Sequence, residues 1–514
     1  MKTVWSENGE ARSNTSPVSL VVSAFAPVID IEQSLTPALR RDIPNTVLVY
    51  VDLGGGRHRL GGAALAQVYG SMGSEAPDID DPAALAAFFS AVQLLNDGGY
   101  LLAYHDRSDG GLIASVVEMS LAGRAGVTLT LPAGSAPLAT LFSEEAGAVL
   151  QVRRADLPVV LETLQRDPGA VAHPLGDVVP EHCVTVRAAD GAELLNTPLD
   201  ALQADWSSTS FHMAALRDNP DDARQEFESL KDLDDPGLGL HVPFETDHWR
   251  TGAAPAVGHR PRVAVLREQG VNGHVEMAAA FDAAGFEAVD VHMTDLVAGR
   301  ADLADFAGLA ACGGFSFGDV LGAGSGWARS ILFNPLLREA FATFFAREDR
   351  FALGVCNGCQ MLAQLAELIP GAAHWPRFVA NRSGQFEARL IMTEVVESPS
   401  LLLAGMAGAR LPTVIAHGEG RVEWAPGSDA SQAPACLRYV DNHGRPTERY
   451  PANPNGSPGG ITGLTSESGR VTIMMPHPER AFLARQHSWL PPDWRLYEGP
   501  WLRMFENARA WTRL

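Results

Sequence analysis

The sequence is poor in cysteine, in basic residues and in long apolar runs. Its 5 cysteines in 514 residues are too few to staple the chain by disulfides, so we expect a reducing, cytoplasmic setting. Lys and Arg number 39 against 61 Asp and Glu, a net charge of −22, which disfavours nucleic acid and anionic lipid as partners. The longest uncharged apolar stretch, residues 16–29, contains prolines and is shorter than the roughly 18 residues that cross a bilayer. The sequence therefore predicts a protein that binds neither nucleic acid nor membrane.

Hydrophobic residues make up 46% of the chain, which is enough for several buried cores. At about 100–200 residues per domain, the length suggests about three domains. A strand-like run covers residues 19–31, and strands alternate with helices over residues 45–204, including a helix at 82–97 with a proline in its first turn. Residues 205–259 are polar and rich in acidic residues, which predicts a helix followed by a linker.

A second pattern of apolar strands and helical crossovers begins near residue 260 and continues to residue 514. It predicts an α/β fold with a doubly wound, mostly parallel sheet, which binds ligands at the carboxyl ends of its strands. The alternation before residue 205 predicts a separate α/β or α+β layered domain.

The strongest local motif is Gly-Val-Cys-Asn-Gly-Cys-Gln, residues 354–360, between an apolar strand and a helix. This arrangement is typical of a nucleophile elbow with Cys356 as the nucleophile at a helix N-terminus, where the helix dipole favours a thiolate. The N–H of Asn357, with a second N–H from the turn at Gly313 and Gly314, is predicted to stabilise an oxyanion. Cys359 is expected to be a packing residue, and the Cys-x-x-Cys spacing has no second cysteine pair to complete a zinc site.

A cysteine nucleophile needs a base and a group that orients the base. His477 and Glu479 follow the last apolar strand, so we predict that His477 moves the proton and that Glu479 orients it.

These motifs resemble those of the class I glutamine amidotransferases, in which G-x-C-x-G-x-Q is followed by H-P-E. The resemblance is closer to the glutaminase domain of the formylglycinamide ribonucleotide amidotransferases, and it rests on motifs in the same order along residues 260–514: VAVLREQGVNGHVEMAAAF, ACGGFSFGDVLGAG, LGVCNGCQM, AHGEGR, RYVDN, YPANPNGSPGGITG and MMPHPER. It implies a flavodoxin-like fold, a glutamyl thioester on Cys356, and a glutamine pocket lined by Gln360 and the Gly313–Gly314 turn. His417 and Glu419 could line this pocket or fix a loop.

A loop in the first half, His-Asp-Arg-Ser-Asp-Gly-Gly at 105–111, joins a strand to a helix. It could be a helix cap, or it could hold phosphate and Mg²⁺, which prefers oxygen ligands. It resembles the C-terminal part of the synthetase portion of the same family, related to the aminoimidazole ribonucleotide synthetases. That resemblance implies Asp106 as a magnesium ligand and Ser108 as a nucleotide contact, in an α+β domain. The glycine-rich stretch at 54–62 could be a plain turn or an anion nest, and residues 142–145 could be a motif or a solvated turn.

The resemblance implies ATP-dependent amidine formation in purine biosynthesis: ATP activates the amide oxygen of formylglycinamide ribonucleotide, and ammonia from glutamine displaces the phosphate. Residues 1–44 resemble a remnant of the synthetase N-terminal half, followed by a synthetase-like C-terminal domain at 45–204. Much of the synthetase is missing, so we expect a glutaminase that needs a separate N-terminal synthetase fragment for synthesis. The alternatives are a non-catalytic nucleotide-binding scaffold and a cysteine hydrolase on the same fold.

Overall fold

The computed structural model describes residues 2–15, 22–166, 170–246, 259–427 and 432–512. The chain divides into two compact units, Met1–Leu202 and Gln203–Leu514. No helix within the described ranges combines the length and the apolar character that a membrane crossing requires.

The first unit contains strands β1 to β9 and helices α1 to α5, and α6 crosses into the second unit. The strands are Lys2–Glu7, Glu10–Thr15, Thr46–Asp52, Leu101–Asp106, Gly126–Thr130, Gly147–Arg153, Val171–Val179, Cys183–Arg187 and Glu193–Pro198, and the helices are Ala64–Val68, Pro82–Asp97, Gly111–Gly123, Pro137–Phe142, Leu157–Leu164 and Leu199–Arg217. Strands β1 and β2 form a hairpin, and the other strands form a sheet in the order β4-β6-β3-β7-β5-β8-β9. All neighbours in this sheet are antiparallel except β5 and β8.

Strand β3 is buried along its whole length because it lies inside this sheet and has few polar residues. Helices α2 and α5 contribute Phe88 and Val160 to a core that covers Val49. Asp81 caps α2 by accepting hydrogen bonds from two first-turn N–H groups, and Pro82 occupies the first turn, as the sequence predicts. These features place the apolar stripe of α2 against the sheet.

The second unit contains strands β10 to β20 and helices α7 to α13. The strands are Arg262–Arg267, Glu287–His292, Gly308–Ala311, Phe351–Val355, Arg377–Val379, Glu387–Val395, Arg410–His417, Arg421–Glu423, Ala435–Tyr439, Ile461–Thr465 and Val471–Met474, and the helices are Pro220–Leu230, His274–Ala283, Met293–Val297, Ser325–Leu332, Pro335–Ala346, Asn357–Gln364 and Leu502–Trp511. Strands β14 and β17 form a small sheet, and the others form a nine-stranded sheet in the order β11-β10-β12-β13-β20-β19-β18-β15-β16.

The nine-stranded sheet is parallel from β11 to β20 and antiparallel from β20 to β16. Its apolar core includes a cluster of aromatic rings in which Phe281 contacts Phe286 and Phe505 edge to face, at centroid distances of 5.4 and 5.0 Å. Strands β12, β13 and β20 lie side by side, so the loops at their carboxyl ends share one edge of the sheet. This edge carries the predicted site residues Gly313, Cys356 and His477.

The α/β fold class is confirmed, with a doubly wound parallel portion in the second unit and an α+β first unit. The strand expected at 19–31 is not formed where it is described, because residues 22–30 are exposed and without regular structure; residues 16–21 lie outside the described ranges. The stretch at 205–259, expected to be a helix followed by a linker, contains the end of α6 and all of α7, and its residues 247–258 also lie outside the described ranges. The antiparallel half of the large sheet was not expected from the sequence.

Candidate active site

The sharp turn between β13 and α12 places Cys356 at its apex. Cys356 has φ 52° and ψ −110°, a conformation that non-glycine residues adopt rarely and at an energetic cost. The flanking glycines do not carry this positive φ. They are required because a side chain would not fit. A Cβ at Gly354 would lie 2.8 Å from the carbonyl oxygen of Gly358, and a Cβ at Gly358 would overlap the carbonyl oxygen of Ala311. The turn is therefore a strained elbow packed directly against the neighbouring strand.

His477 and Glu479 form a buried pair immediately after β20. The Nδ1 atom of His477 lies 2.6 Å from Oε1 of Glu479, and both side chains are almost completely buried. The backbone N–H of His477 donates to the carbonyl of Val414 on β16 at 2.8 Å, which ties the loop to the antiparallel half of the sheet. The carboxylate thus fixes the ring orientation and leaves Nε2 as the nitrogen available for proton transfer.

Cys356 lies next to this pair and is 4% exposed. Burial opposes protonation of His477, but the charges of Glu479 and Cys356, together with hydrogen bonding to both, outweigh it and raise the pKa of His477 to about 9. Because Nδ1 is used by Glu479, Nε2 is the ring nitrogen left for the thiol. Nε2 has no hydrogen-bond partner among the described residues, and the thiol itself donates to the carbonyl oxygen of Ala416 at 3.5 Å. A thiol, an imidazole and a carboxylate thus lie together, the three groups that cysteine-based acyl transfer requires.

The turn after β12 contacts both of these side chains. A Cβ at Gly313 would lie 2.6 Å from Cε1 of His477 and 3.3 Å from Cβ of Cys356, so only glycine fits here. Gly314 has φ 148°, and a Cβ on it would lie 2.5 Å from Cα of Val271. Gly313 therefore lies against the nucleophile, and Gly314 packs on the loop at 270–272.

Asn357 and Gln360, the two amide residues of the predicted pocket, face the loop at 316–324 and the loop after β16. Oδ1 of Asn357 accepts from the N–H of Ser316 at 3.2 Å, and its Nδ2 donates to Oδ1 of Asp319 at 2.9 Å and to Oε1 of Gln360 at 3.2 Å. Gln360 in turn donates to the carbonyl of Glu419. Burial raises the pKa of Asp319 although Asn357 donates to it.

His417 and Glu419 lie close to these residues, and they differ in their contacts. Oε2 of Glu419 accepts from the N–H of Ala323 at 3.1 Å, a contact that fixes a loop. His417 is 2% exposed, and burial together with the nearby His477 lowers its pKa to about 3. Neither ring nitrogen of His417 has a hydrogen-bond partner among the described residues. Asp319 was not predicted from the sequence, and the Gly-Asp pair that follows the glycine turn is the signal that could have identified it.

In the first unit, Asp106 and Ser108 lie at the junction of β4 and α3, and both are exposed. The hydroxyl of Tyr104 donates to Oδ1 of Asp106 at 2.5 Å, and the carbonyl of Ser108 accepts from the N–H of Gly111 at 2.9 Å. An open groove of about 1190 Å³ reaches Asp106 from α2 and the segment at 27–35. The two side chains are thus accessible to a ligand from solvent.

The residue between them points the other way. The Arg107 side chain is buried and donates to Oδ1 of Asp52 at 2.8 Å and to the hydroxyl of Tyr50. Burial opposes ionisation of Asp52, but Arg107 and the N–H groups of Gly54 and Gly56 outweigh it and hold its pKa below the usual value. The glycine loop at 54–56 is therefore folded around a carboxylate of the protein itself, so two of its N–H groups are already used.

The segment at 142–145 is not a solvated turn. Ser143 and Glu145 are fully buried, and Glu145 binds Nε of Arg59 at 2.6 Å. Oε1 of Glu144 accepts from the N–H groups of Gly110 and Ala64, at 2.8 and 2.7 Å. These carboxylates join the glycine-rich segments of the first unit to each other.

In the described part of the chain, no group of three or more His, Cys, Asp or Glu side chains is placed to hold a metal ion. Asp106 offers a single accessible carboxylate. Such a ligand fits an ion like Mg²⁺, which usually keeps waters and binds through one or two carboxylates and the phosphates of a nucleotide.

Comparison with known families divides the chain in a similar way. Residues 260–512 match the CobB/CobQ-like glutamine amidotransferase domain, and residues 44–188 match the C-terminal domain of AIR synthase related proteins. The first match contains Cys356, His477 and Glu479, and the second contains Asp106 and Ser108.

Solved structures overlap parts of the chain. PurLQS from Thermotoga maritima is 25% identical over 49% of this chain and 99% of that chain, with a TM-score of 0.38. T. maritima PurL complexed with ATP is 16% identical over 34% of this chain, with a TM-score of 0.28, and this chain spans 27% of its length. HypE from E. coli, a hydrogenase maturation protein, is 25% identical over 32% of this chain and 52% of that chain, with a TM-score of 0.23.

Proposed function

We propose that this chain, a formylglycinamide ribonucleotide amidotransferase-like protein that contains a glutamine amidotransferase domain, hydrolyses glutamine at Cys356 and supplies the ammonia for amidine synthesis. The observation that supports this most strongly is the buried series of Cys356, His477 and Glu479 at the carboxyl edge of a parallel sheet. A strained elbow, a base and an orienting carboxylate are the parts that cysteine-based acyl transfer requires.

In the first half-reaction the thiolate of Cys356 attacks the side-chain amide carbon of glutamine. The C–N bond breaks, the imidazolium of His477 donates its proton to the leaving nitrogen, and ammonia departs from a glutamyl thioester. The charge of Glu479 stabilises the imidazolium before this transfer, which agrees with the raised pKa of His477.

In the second half-reaction His477 takes a proton from water, the hydroxide attacks the thioester, and glutamate leaves as the thiolate is restored. Both steps pass through an oxyanion. We assign its stabilisation to the N–H of Asn357 and to an N–H of the Gly313–Gly314 turn, which contacts Cys356 directly. Cys356 is 4% exposed, an opening better suited to a small amide than to a polypeptide.

We assign the first unit to nucleotide binding. Asp106 would hold Mg²⁺ through its accessible carboxylate beside the groove, and the exposed Ser108, two residues further along the same loop, would contact the nucleotide. Bound Mg²⁺ would neutralise phosphate charge. Because the matched region is only the C-terminal domain of the AIR synthase type, we propose that amidine formation from formylglycinamide ribonucleotide also uses a partner that supplies an N-terminal synthetase portion.

The test is glutamate release from glutamine by the purified chain, with Cys356→Ala and Cys183→Ala compared side by side. Cys183 is a partly exposed cysteine of the first unit and serves as the control. Activity in the parent and in Cys183→Ala, but not in Cys356→Ala, supports the proposal. Equal activity in all three chains, or turnover of peptides and esters in preference to glutamine, would exclude it.

A further inference from the structure

The side chain of Asn357 connects the nucleophile elbow to the loop that follows the Gly313–Gly314 turn. Asn357 directly follows Cys356, is fully buried, and is the first residue of α12. Its two hydrogen bonds to the loop reach Ser316 and Asp319, the first and last residues of the segment at 316–319. One amide group therefore holds both ends of this segment.

The segment at 316–319 has a backbone conformation that needs support from surrounding contacts. Phe317, Gly318 and Asp319 have φ values of 54°, 63° and 53°, three consecutive residues in the left-handed region. Glycine adopts this region freely and Asp does so more readily than most residues, so the strain falls mainly on Phe317. Strain of this kind persists only where surrounding contacts fix the backbone, and Asn357 provides two of those contacts.

The same segment is continuous with the turn that touches the nucleophile. Gly313 contacts Cys356 and His477, Gly314 packs on Val271, and Phe315 donates its N–H to the carbonyl of Gly270 at 2.9 Å. The turn is thus fixed on one side by the loop at 270–272 and on the other by Asn357.

We propose that the Asn357 side chain is a positioning residue that sets the Gly313–Gly314 turn relative to Cys356, and so holds the two N–H groups of the oxyanion hole in register. This inference rests on the proposed glutaminase function. It differs from the role assigned to the backbone N–H of Asn357, because it concerns the side-chain amide and its pairing with Asp319.

The proposal predicts that formation and hydrolysis of the thioester depend on the pairing, whereas direct alkylation of the thiol does not. Iodoacetamide reacts with a thiolate by displacement at carbon and forms no oxyanion. In Asn357→Ala we expect kcat for glutamine hydrolysis to fall by about 10- to 100-fold, somewhat less than the loss of a whole oxyanion donor. Alkylation of Cys356, followed by peptide mapping, should keep the rate of the parent chain.

Exchanging the amide at position 357 and the carboxylate at position 319 makes the test specific, because the double variant keeps the charge of the parent chain. Asn357→Asp places two carboxylates face to face and should lower kcat at least as much as Asn357→Ala. Adding Asp319→Asn restores a donor and an acceptor in reversed order, so the double variant should regain much of the lost kcat. Gln364→Ala is the matched control, since Gln364 is an amide of the same helix that donates to Ala323 instead of the strained segment. If Asn357→Ala fails to fold, Asp319→Ala removes the same hydrogen bond at its acceptor, since Asp319 is only half-buried.

Three results would overturn the proposal: unchanged kcat in the Asn357 variants, a parallel loss of alkylation and hydrolysis, or a double variant no better than Asn357→Asp. Failure of the proposed function can be distinguished from these results, because the unsubstituted chain would then release no glutamate.

Discussion

The Nδ1 atom of His477 lies 2.6 Å from Oε1 of Glu479, and the two side chains are 1% and 0% exposed. A histidine in so dry a site would ordinarily lose its charge. Here the carboxylate, with help from Cys356, reverses that tendency and raises the pKa of His477. The pair therefore fixes the tautomer of the ring and also makes the active site dependent on pH.

Replacing Glu479 with Gln should change the pH dependence of stability in a defined direction. The folded-state pKa of His477 is about 9, above its ordinary value of 6.5, so this group stabilises the fold fully below pH 6.5 and loses its contribution as pH rises through 9. By linkage the contribution is up to about 3 kcal/mol. Urea unfolding of Glu479→Gln should show its largest deficit below pH 6.5, and the exposed Glu348→Gln should show none. A deficit that grows with pH would contradict this assignment.

Replacing Gly358 with Ala should disrupt the elbow, because the new Cβ would overlap the carbonyl of Ala311 on β12. Overpacking in a tight interior typically costs about 1–3 kcal/mol, and here it would also move Cys356. We expect lower stability in chemical denaturation together with loss of glutamine hydrolysis. Gly239→Ala is the control, since a Cβ at Gly239 meets nothing within 4 Å. Full activity in Gly358→Ala would show that the elbow tolerates the shift.

Replacing Arg107 with Met should destabilise the first unit strongly. Arg107 and Asp52 form a buried ion pair, with N–O distance 2.8 Å, and the change leaves the carboxylate buried without its partner. Breaking such a pair costs about 3–5 kcal/mol. Replacing Arg154, which pairs with Asp177 on the surface, should cost no more than about 1 kcal/mol. Equal midpoints in the denaturation of the two variants would contradict the buried network as a structural element.

Replacing Asp106 with Asn should weaken binding of magnesium nucleotide and leave stability nearly unchanged, because the carboxylate is exposed and contacts only the hydroxyl of Tyr104 among the hydrogen bonds described for it. Calorimetric titration with Mg²⁺ and ADP measures the effect. Asp109→Asn, on the same exposed loop, is the control. Equal affinity in the two variants would move the proposed magnesium ligand elsewhere.

Much of the second unit could be predicted from the sequence, because parallel strands buried on both faces read as apolar runs with glycines at their ends. For the same reason Cys356, His477 and Gly313 could be expected at one edge. The antiparallel strands were harder to assign, since partly exposed positions interrupt their apolar runs and since β15 pairs with β18 past the intervening β16 and β17 of the chain.

The role of polar side chains could not be predicted, because it depends on which way each one points. Asp106 and Arg107 are neighbours in a motif rich in charge, yet one faces solvent and the other reaches the core. The glycines at 54–56 predicted a possible anion nest, but two of their N–H groups bind Asp52. The Gly-Asp pair at 318–319 marked Asp319 only as a turn residue, since its importance comes from a bond to Asn357 across the site.

The most direct test of the central claim, that Cys356 carries the glutamyl group, is mass spectrometry of the chain quenched with acid during turnover of glutamine. The account predicts a peptide containing Cys356 whose mass is increased by one glutamyl group, and no such peptide from Cys356→Ser. Release of glutamate without this adduct, together with unchanged activity in Cys356→Ala, would contradict it.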